Sequence, residues 1–240
     1  MSLLSVEHAT KRYRRGRLER VAIKDVSLEI EPGELVAVWG ARRSGRSTLL
    51  RVAAGIESPE EGVVRFEGRE LARFRNSILG HRLGYCQMGF NAADGGLVVE
   101  HIAAGLLAQR ASPRDARRRA QEMLLRVGAS QCERMSCHEL DGAEAVRVSI
   151  AGALVTAPAL LVIDEPTNGV EPLDRDPILA LLRSLANEGV AVLMSTGDAQ
   201  GLSGADRALS LDNGELRGEA RPSGAQVLPL RRAESGARRR

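Results

Sequence analysis

The stretch LVAVWGARRSGRSTLL, from Leu35 to Leu50, constrains this chain more than any other. A short apolar run ends at Gly40, a loop of Gly, Ser and Arg follows, and Ser47-Thr48-Leu49-Leu50 opens a segment with helical apolar spacing. The order is strand, loop, helix.

A phosphate chain needs many N–H donors converging on it. A glycine-containing loop that enters a helix N-terminus supplies them together with the positive end of the helix dipole. Against the general pattern G-x-x-x-x-G-K-S/T, the loop keeps Gly40, Gly45 and Ser47 but carries Arg46 where lysine is expected. It reads as a variant phosphate loop.

At 240 residues, 43% hydrophobic and 27% charged, the chain is long enough to bury a real core as one large or two small lobes. The net charge of +3 owes much to Arg231, Arg232, Arg238, Arg239 and Arg240, and a charge run at a terminus reads first as a solvated tail. Nucleic-acid binding is therefore not expected. No apolar run approaches the roughly 20 residues that span a bilayer, and the N-terminus lacks a signal-peptide core, which predicts a cytosolic chain. Cys86, Cys132 and Cys137 lack a disulfide-framework spacing, and with His138 they match structural zinc sites poorly, so buried thiols are the expectation.

Strands are expected at Leu4 to Ala9, Val21 to Ile30 and Gly62 to Gly68, and a helix from Ser47 to about Ala54 that stops at Gly55. Between Asn91 and Leu140 the spacing turns helical, with Val98, Val99, Ile102, Ala103, Leu106 and Leu107 on one face and a second helix from Ser112-Pro113 to Gly128. Beyond this insert, strands at Leu160 to Ile163, Val190 to Met194 and Ala208 to Leu211 alternate with a helix at Ile178 to Leu185, which argues for a parallel sheet. From about Gly218 onward Pro, Gly, Ser and Arg dominate and predict a flexible basic tail.

The run LLVIDEPTNG delivers Asp164 and Glu165 at the carboxyl end of an apolar strand, where open α/β folds bind ligands. Asp164 suits a magnesium ion, alongside the hydroxyl of Ser47. Glu165 suits a residue that orients an attacking water or takes its proton. The plainer reading, a strand ending in solvated acids, loses weight beside the phosphate loop upstream.

Taken together, the segments from about Leu4 to Leu216 resemble the nucleotide-binding domain of ABC transporters. GARRSGRSTLL is similar to that family's Walker A, LLVIDEPTNGVEP to its Walker B and D-loop, and HELDGAEAVRVSIAGAL to its signature stretch. The resemblance implies a single domain over residues 1–217, an α/β P-loop NTPase core with an antiparallel β subdomain and a helical insert at about 91–155, followed by the tail at 218–240. It implies ATP and Mg2+ as cofactors. Gly40, Ala41, Arg42, Arg43, Ser44, Gly45, Arg46, Ser47 and Thr48 would hold the phosphates, Tyr13 would stack on adenine, Ser47 and Asp164 would bind the metal, and Glu165 would be catalytic. Outside that frame Tyr13 is an ordinary strand aromatic. The implied partners are a membrane permease subunit and a second ABC cassette, in a homodimer or heterodimer, which places the chain on the inner face of the cell membrane.

The departures from the family pattern cluster. Arg43 stands where the family has a glycine, and if that backbone needs φ above zero the arginine costs on the order of 1 kcal/mol. Arg46 keeps the lysine's charge but not its shape. Asp141 and Ala143 replace the signature's serine and second glycine. A carboxylate cannot donate to a γ-phosphate and at about 4 Å would be repelled by roughly 4 kcal/mol, whereas as a helix N-cap it would be ordinary. Met88 occupies the glutamine-loop position with Gln87 one place early, Gly197 the switch-histidine position and Glu171 the D-loop aspartate position. Nearly every replacement falls on a group that in the family touches γ-phosphate or crosses the dimer. The expectation is a cassette that binds nucleotide and turns it over weakly or not at all. The rival is a non-transport scaffold or regulatory protein that keeps the fold; kinases and GTPases share the loop but not the other segments.

Overall fold

Two long antiparallel strands open the chain, β1 (Leu4–Arg15) and β2 (Leu18–Ile30). Then come β3 (Leu35–Trp39), α1 (Arg46–Ala53), β4 (Glu61–Phe66), β5 (Arg69–Glu70) and β6 (Leu83–Cys86). Three helices follow: α2 (Val98–Leu107), α3 (Pro113–Arg126) and α4 (Gly142–Leu154). The chain continues through β7 (Leu160–Ile163), α5 (Pro172–Asn187), β8 (Ala191–Thr196), β9 (Arg207–Asp212), β10 (Glu215–Ala220) and β11 (Val227–Leu228). The computed structural model describes residues 2–16, 18–73, 82–86, 96–220 and 227–228.

The strands form two sheets. One is antiparallel, in the order β2-β1-β4-β5; the other runs β11-β10-β9-β3-β8-β7-β6, with β6, β7, β8, β3 and β9 parallel. The central strands are apolar throughout because both faces are covered. Leu35 and Ala37 of β3, Leu161 and Ile163 of β7, and Val192 and Met194 of β8 pack on the face shared with α2 to α5. Their neighbours Val36, Val38, Leu160, Val162, Ala191 and Leu193 pack on the other face, with α1 and the antiparallel sheet. The period-two alternation of each strand thus builds two cores, one on each side of the parallel sheet.

Several elements depart from their expected bounds for identifiable reasons. β1 runs to Arg15 although Lys11, Arg12 and Arg14 give it no apolar face, because its backbone pairs with β2 along the whole hairpin. Register shifts between Val6 and Arg12 re-aim its far end over α1. α5 starts at Pro172 rather than near Ile178; its first turn faces solvent, with Leu173 89% exposed, so no apolar period marks it. The expected tail from Gly218 begins too early: β10 continues to Ala220, and Val227–Leu228 adds a strand to it. Helix α1 has Ala54 as its C-cap, followed by Gly55 at φ +69, the left-handed position that stops a helix. Gln87, Met88, the segment 91–95 and the five C-terminal arginines lie outside the described residues.

Candidate functional site: a cationic cleft at the carboxyl edge of the parallel sheet

Three parallel strands finish at one edge. β3 ends into Gly40, β7 into Asp164, and β8 in Ser195 and Thr196. Backbone geometry shapes the loop after β3. A β-carbon on Gly40 would come within 2.2 Å of the Leu211 carbonyl oxygen, and one on Gly45 within 2.2 Å of the Ala22 carbonyl oxygen. Gly45 also sits at φ +108 and is the N-cap of α1, without a side chain to satisfy the first amides of the helix. Those amides are open to an anion.

Arg43 adopts φ +68, the left-handed conformation in which a non-glycine residue costs about 1 kcal/mol. Neighbouring bonds hold the turn. The Ser44 amide donates to the Ala41 carbonyl at 3.1 Å, the Gly214 amide to the Ser44 carbonyl at 2.8 Å, and the Arg20 guanidinium to the Arg43 carbonyl at 2.9 Å.

This loop walls a cleft of about 580 Å³. Tyr13, Arg42, Arg43, Ser44, Gly45, Arg46, Ser47, Thr48 and Glu165 line it; Gly40, Ala41 and Asp164 are not among the lining residues. Two buried polar atoms at the loop, Ser44 Oγ and Arg46 Nη1, have no hydrogen-bond partner among the described residues. Orphan donors, glycine-cleared backbone and clustered guanidinium groups fit a phosphate chain.

The acid pair is tied together by Ser195. Its hydroxyl donates to Asp164 Oδ1 at 2.5 Å and accepts from the Glu165 amide at 3.0 Å. Asp164 is buried, and its amide donates to the Cys86 carbonyl at 3.1 Å. Glu165 bends away at φ +46, which turns its side chain into the cleft. There its Oε1 accepts from Arg46 Nη2 at 2.5 Å, with the arginine side chain 7% exposed and the glutamate 26%. The guanidinium ends against Gly197, where an added β-carbon would lie 3.3 Å from Nη1 and 3.5 Å from Nη2. Arg46, Glu165 and Gly197 thus form one contact.

As metal donors, the Ser47 hydroxyl and Asp164 carboxylate are hard oxygens. No cluster of three or more His, Cys, Asp or Glu residues is placed to hold a metal among the described residues. Such a pair suits magnesium, which completes its shell with water and phosphate oxygens rather than a protein cage.

Tyr13 also lines the cleft, with its ring part exposed and its hydroxyl anchored. That hydroxyl donates to Glu57 Oε2 at 2.5 Å and accepts from Arg51 Nη2 at 3.1 Å, while Arg51 Nε donates to Glu57 Oε1 at 2.6 Å. Partial burial works against the charge on Arg51, but the bonds to Tyr13 and Glu57 prevail and hold its pKa above the ordinary value. Lys11 Nζ lies 5.8 Å from the ring centroid.

Asp141 lies at the start of α4 as its N-cap. Oδ1 accepts from the Glu144 amide at 2.8 Å and Glu144 answers to the Asp141 amide at 3.2 Å, a complete capping box. Of the two readings of this residue, the structure displays the helix cap. Next to it, a β-carbon on Gly142 would lie 2.3 Å from the Gly169 carbonyl oxygen, so α4 abuts the loop that follows Glu165. Glu171 begins α5 as an N-cap without a side-chain bond.

Sequence reasoning missed Ser195, Arg20 and Asn168, the last two being cleft residues. A hydroxyl directly after the buried run Val192 to Met194 was a signal for Ser195; Arg20, on a hairpin rich in charge, offered none. The three cysteines are free and buried, and burial pushes the Cys86 thiol up to about 12.

A sequence profile described as ABC transporter matches residues 23–168, more than half the chain. Among similar solved structures is the dimeric MJ0796, a bacterial ABC transporter cassette, with TM-score 0.85 and 26% identity over 92% of this chain and 100% of that one. The same cassette bound to ADP and Pi after hydrolysis superposes with TM-score 0.84. CbiO1 of Clostridium perfringens, part of the transporter complex cbiONQ, shares the fold with TM-score 0.78 and 24% identity, covering 92% of this chain and 89% of that chain. With the profile match, this fold and a phosphate-loop cleft in place, the chain belongs to the ABC transporter family, as one of its nucleotide-binding cassettes.

Proposed function

We propose that the chain binds Mg-ATP in this cleft as the ATP-binding subunit of a membrane transporter and hydrolyses it weakly or not at all on its own. Ser47 and Asp164 would hold the magnesium, which neutralises charge on the phosphates when bound. The loop amides and the guanidinium groups of Arg42, Arg43 and Arg46 would hold the phosphates themselves, and Tyr13 the base. A permease subunit and a second cassette, identical or not, would complete the assembly at the inner face of the membrane. The MJ0796 dimer and the cbiO1 complex support that arrangement by likeness.

The observation that carries weak turnover is the Arg46–Glu165 contact at 2.5 Å. A general base must aim a free carboxylate lone pair at water. Here the nearer oxygen already accepts a charge-assisted bond from the Arg46 guanidinium. No helix among the described residues is long and apolar enough to cross a membrane.

Isothermal titration of the purified chain with Mg-ATP, beside a steady-state ATPase assay, tests this. Saturable binding with little turnover is the expected pair of results. Brisk turnover that collapses in Glu165→Gln would overturn it. Copurification with an integral membrane protein supports transport, whereas retained nucleic acid with a steep salt dependence points to the scaffold alternative.

A further inference from the structure

We infer that Arg20 is a positioning residue for the phosphate loop: from strand β2 its guanidinium holds the loop in its phosphate-binding conformation by bonding the carbonyl of the left-handed residue Arg43. This rests on the proposal that the cleft binds a nucleotide through its phosphates, and it adds to that site a residue from outside the loop.

Three observations carry it. Arg43 sits at φ +68 one residue before Ser44, whose amide closes a turn onto the Ala41 carbonyl at 3.1 Å. Positive φ at the third place of such a turn suits glycine, so an arginine there needs support from its surroundings.

The residues that follow Arg43 are already clamped by β2 and by the turn after β9. The Gly214 amide donates to the Ser44 carbonyl and the Lys24 amide to the Gly214 carbonyl, each at 2.8 Å. The Ala22 carbonyl oxygen lies so near Gly45 that a β-carbon on that glycine would come within 2.2 Å of it. Arg43 stands outside this clamp. Among the described residues its carbonyl accepts one hydrogen bond, from Arg20 Nη2 at 2.9 Å. Arg20 in turn pairs with Tyr13 in the β1–β2 register, and both line the cleft, so the bond ties the hairpin that carries the tyrosine to the loop.

The chemistry follows from the peptide group, which shows N–H on one side and C=O on the other. A loop that cradles an anion must keep its N–H groups inward. Relaxing residue 43 to negative φ turns over the adjoining peptide, and a carbonyl brought into the cleft in this way repels phosphate instead of donating to it. Arg20 opposes that rotation, because its bond is lost when the Arg43 carbonyl moves. One nitrogen makes the bond, so an ammonium of similar reach can replace the guanidinium.

Isothermal titration with sodium tripolyphosphate, which has no base for Tyr13 to hold, reads the loop by itself; Mg-ATP is titrated alongside. Arg20→Met should weaken tripolyphosphate binding about fivefold, the loss of one exposed hydrogen bond. Arg20→Lys should stay within about twofold of the parent, because it keeps a donor. In an Arg43→Gly background, where positive φ carries no penalty, the same methionine should cost less than about twofold relative to that background. Circular dichroism confirms that each variant is folded. Unchanged binding in Arg20→Met overturns the inference, as does a lysine variant that falls as far as methionine. An equal loss in both backgrounds makes Arg20 a direct phosphate contact and overturns it too, while nucleotide binding stands. A parent chain that binds neither tripolyphosphate nor Mg-ATP overturns the reading of the cleft, and this inference with it.

Discussion

Replacing Glu165 with alanine should destabilise the nucleotide-free protein, the opposite of what removing a carboxylate kept only for chemistry commonly does. The reason is the neighbour it leaves behind. Arg46 has 7% of its side chain exposed and already lacks a partner on Nη1; without Glu165 it would keep a buried charge with no counterion. Removing one partner of a fully buried ion pair costs about 3–5 kcal/mol. Glu165 is 26% exposed, so water can enter the vacated space and relieve part of this, leaving about 2 kcal/mol. The left-handed backbone at φ +46 does not alter the sum, because alanine bears the same penalty there as glutamate. For a chain of this size a loss of about 2 kcal/mol lowers the unfolding temperature by roughly 4–8 °C. Glu165→Gln keeps an acceptor for Nη2 and should lose about half as much. Thermal unfolding and urea titration without nucleotide, followed by the fluorescence of the single tryptophan, Trp39, measure it. An alanine variant that unfolds at or above the parent's temperature would refute the idea that these two side chains support each other.

Asp141→Ala should cost about 1 kcal/mol through loss of the α4 cap while Asp141→Ser holds stability, both read from urea midpoints. Gly45→Ala should abolish nucleotide binding and destabilise the fold, since it sets a methyl 2.2 Å from the Ala22 carbonyl oxygen at φ +108; thermal unfolding and titration report both. Burial pushes the Cys86 and Cys132 thiols up to about 12 from an ordinary value of 9.0. Above pH 9 the unfolded chain therefore releases protons that the folded one retains, so stability present below pH 9 should fall as pH rises toward 12, seen as a declining urea midpoint. A thiol reagent at pH 8 should leave the native protein untouched and label all three cysteines after unfolding.

The fold was legible in the sequence wherever burial imposed a period. The apolar runs of β3, β7 and β8 and the faces of α2 and α3 announce their own cores, and Gly40, Gly45 and Ser47 mark the loop between two of these elements. What escaped notice has little side-chain burial to report it. The charged half of β1, the exposed first turn of α5 and the strand β10 are held by backbone hydrogen bonds. The acids and the loop could be named from their motifs and their position at strand ends. That Arg46 crosses to Glu165, and that Gly197 makes room for it, could not, because residues 46, 165 and 197 become neighbours only when three separate strand ends converge. Along the sequence the arginine and the glycine are two separate departures from the family pattern; the geometry joins them.

The missing side chain at Gly142 has a mechanical meaning. With α4 and the loop after Glu165 touching backbone to backbone, no side chain fits between them: a β-carbon on Gly142 would lie only 2.3 Å from the Gly169 carbonyl oxygen. A displacement of the acid-bearing loop by more than a few tenths of an ångström has to be taken up by the whole helix, and α4 packs in turn against α2 and α3. The cleft and the helical layer are therefore geared together without slack, so motion at one is delivered to the other as a push of rigid main chain rather than as a rearrangement of side chains.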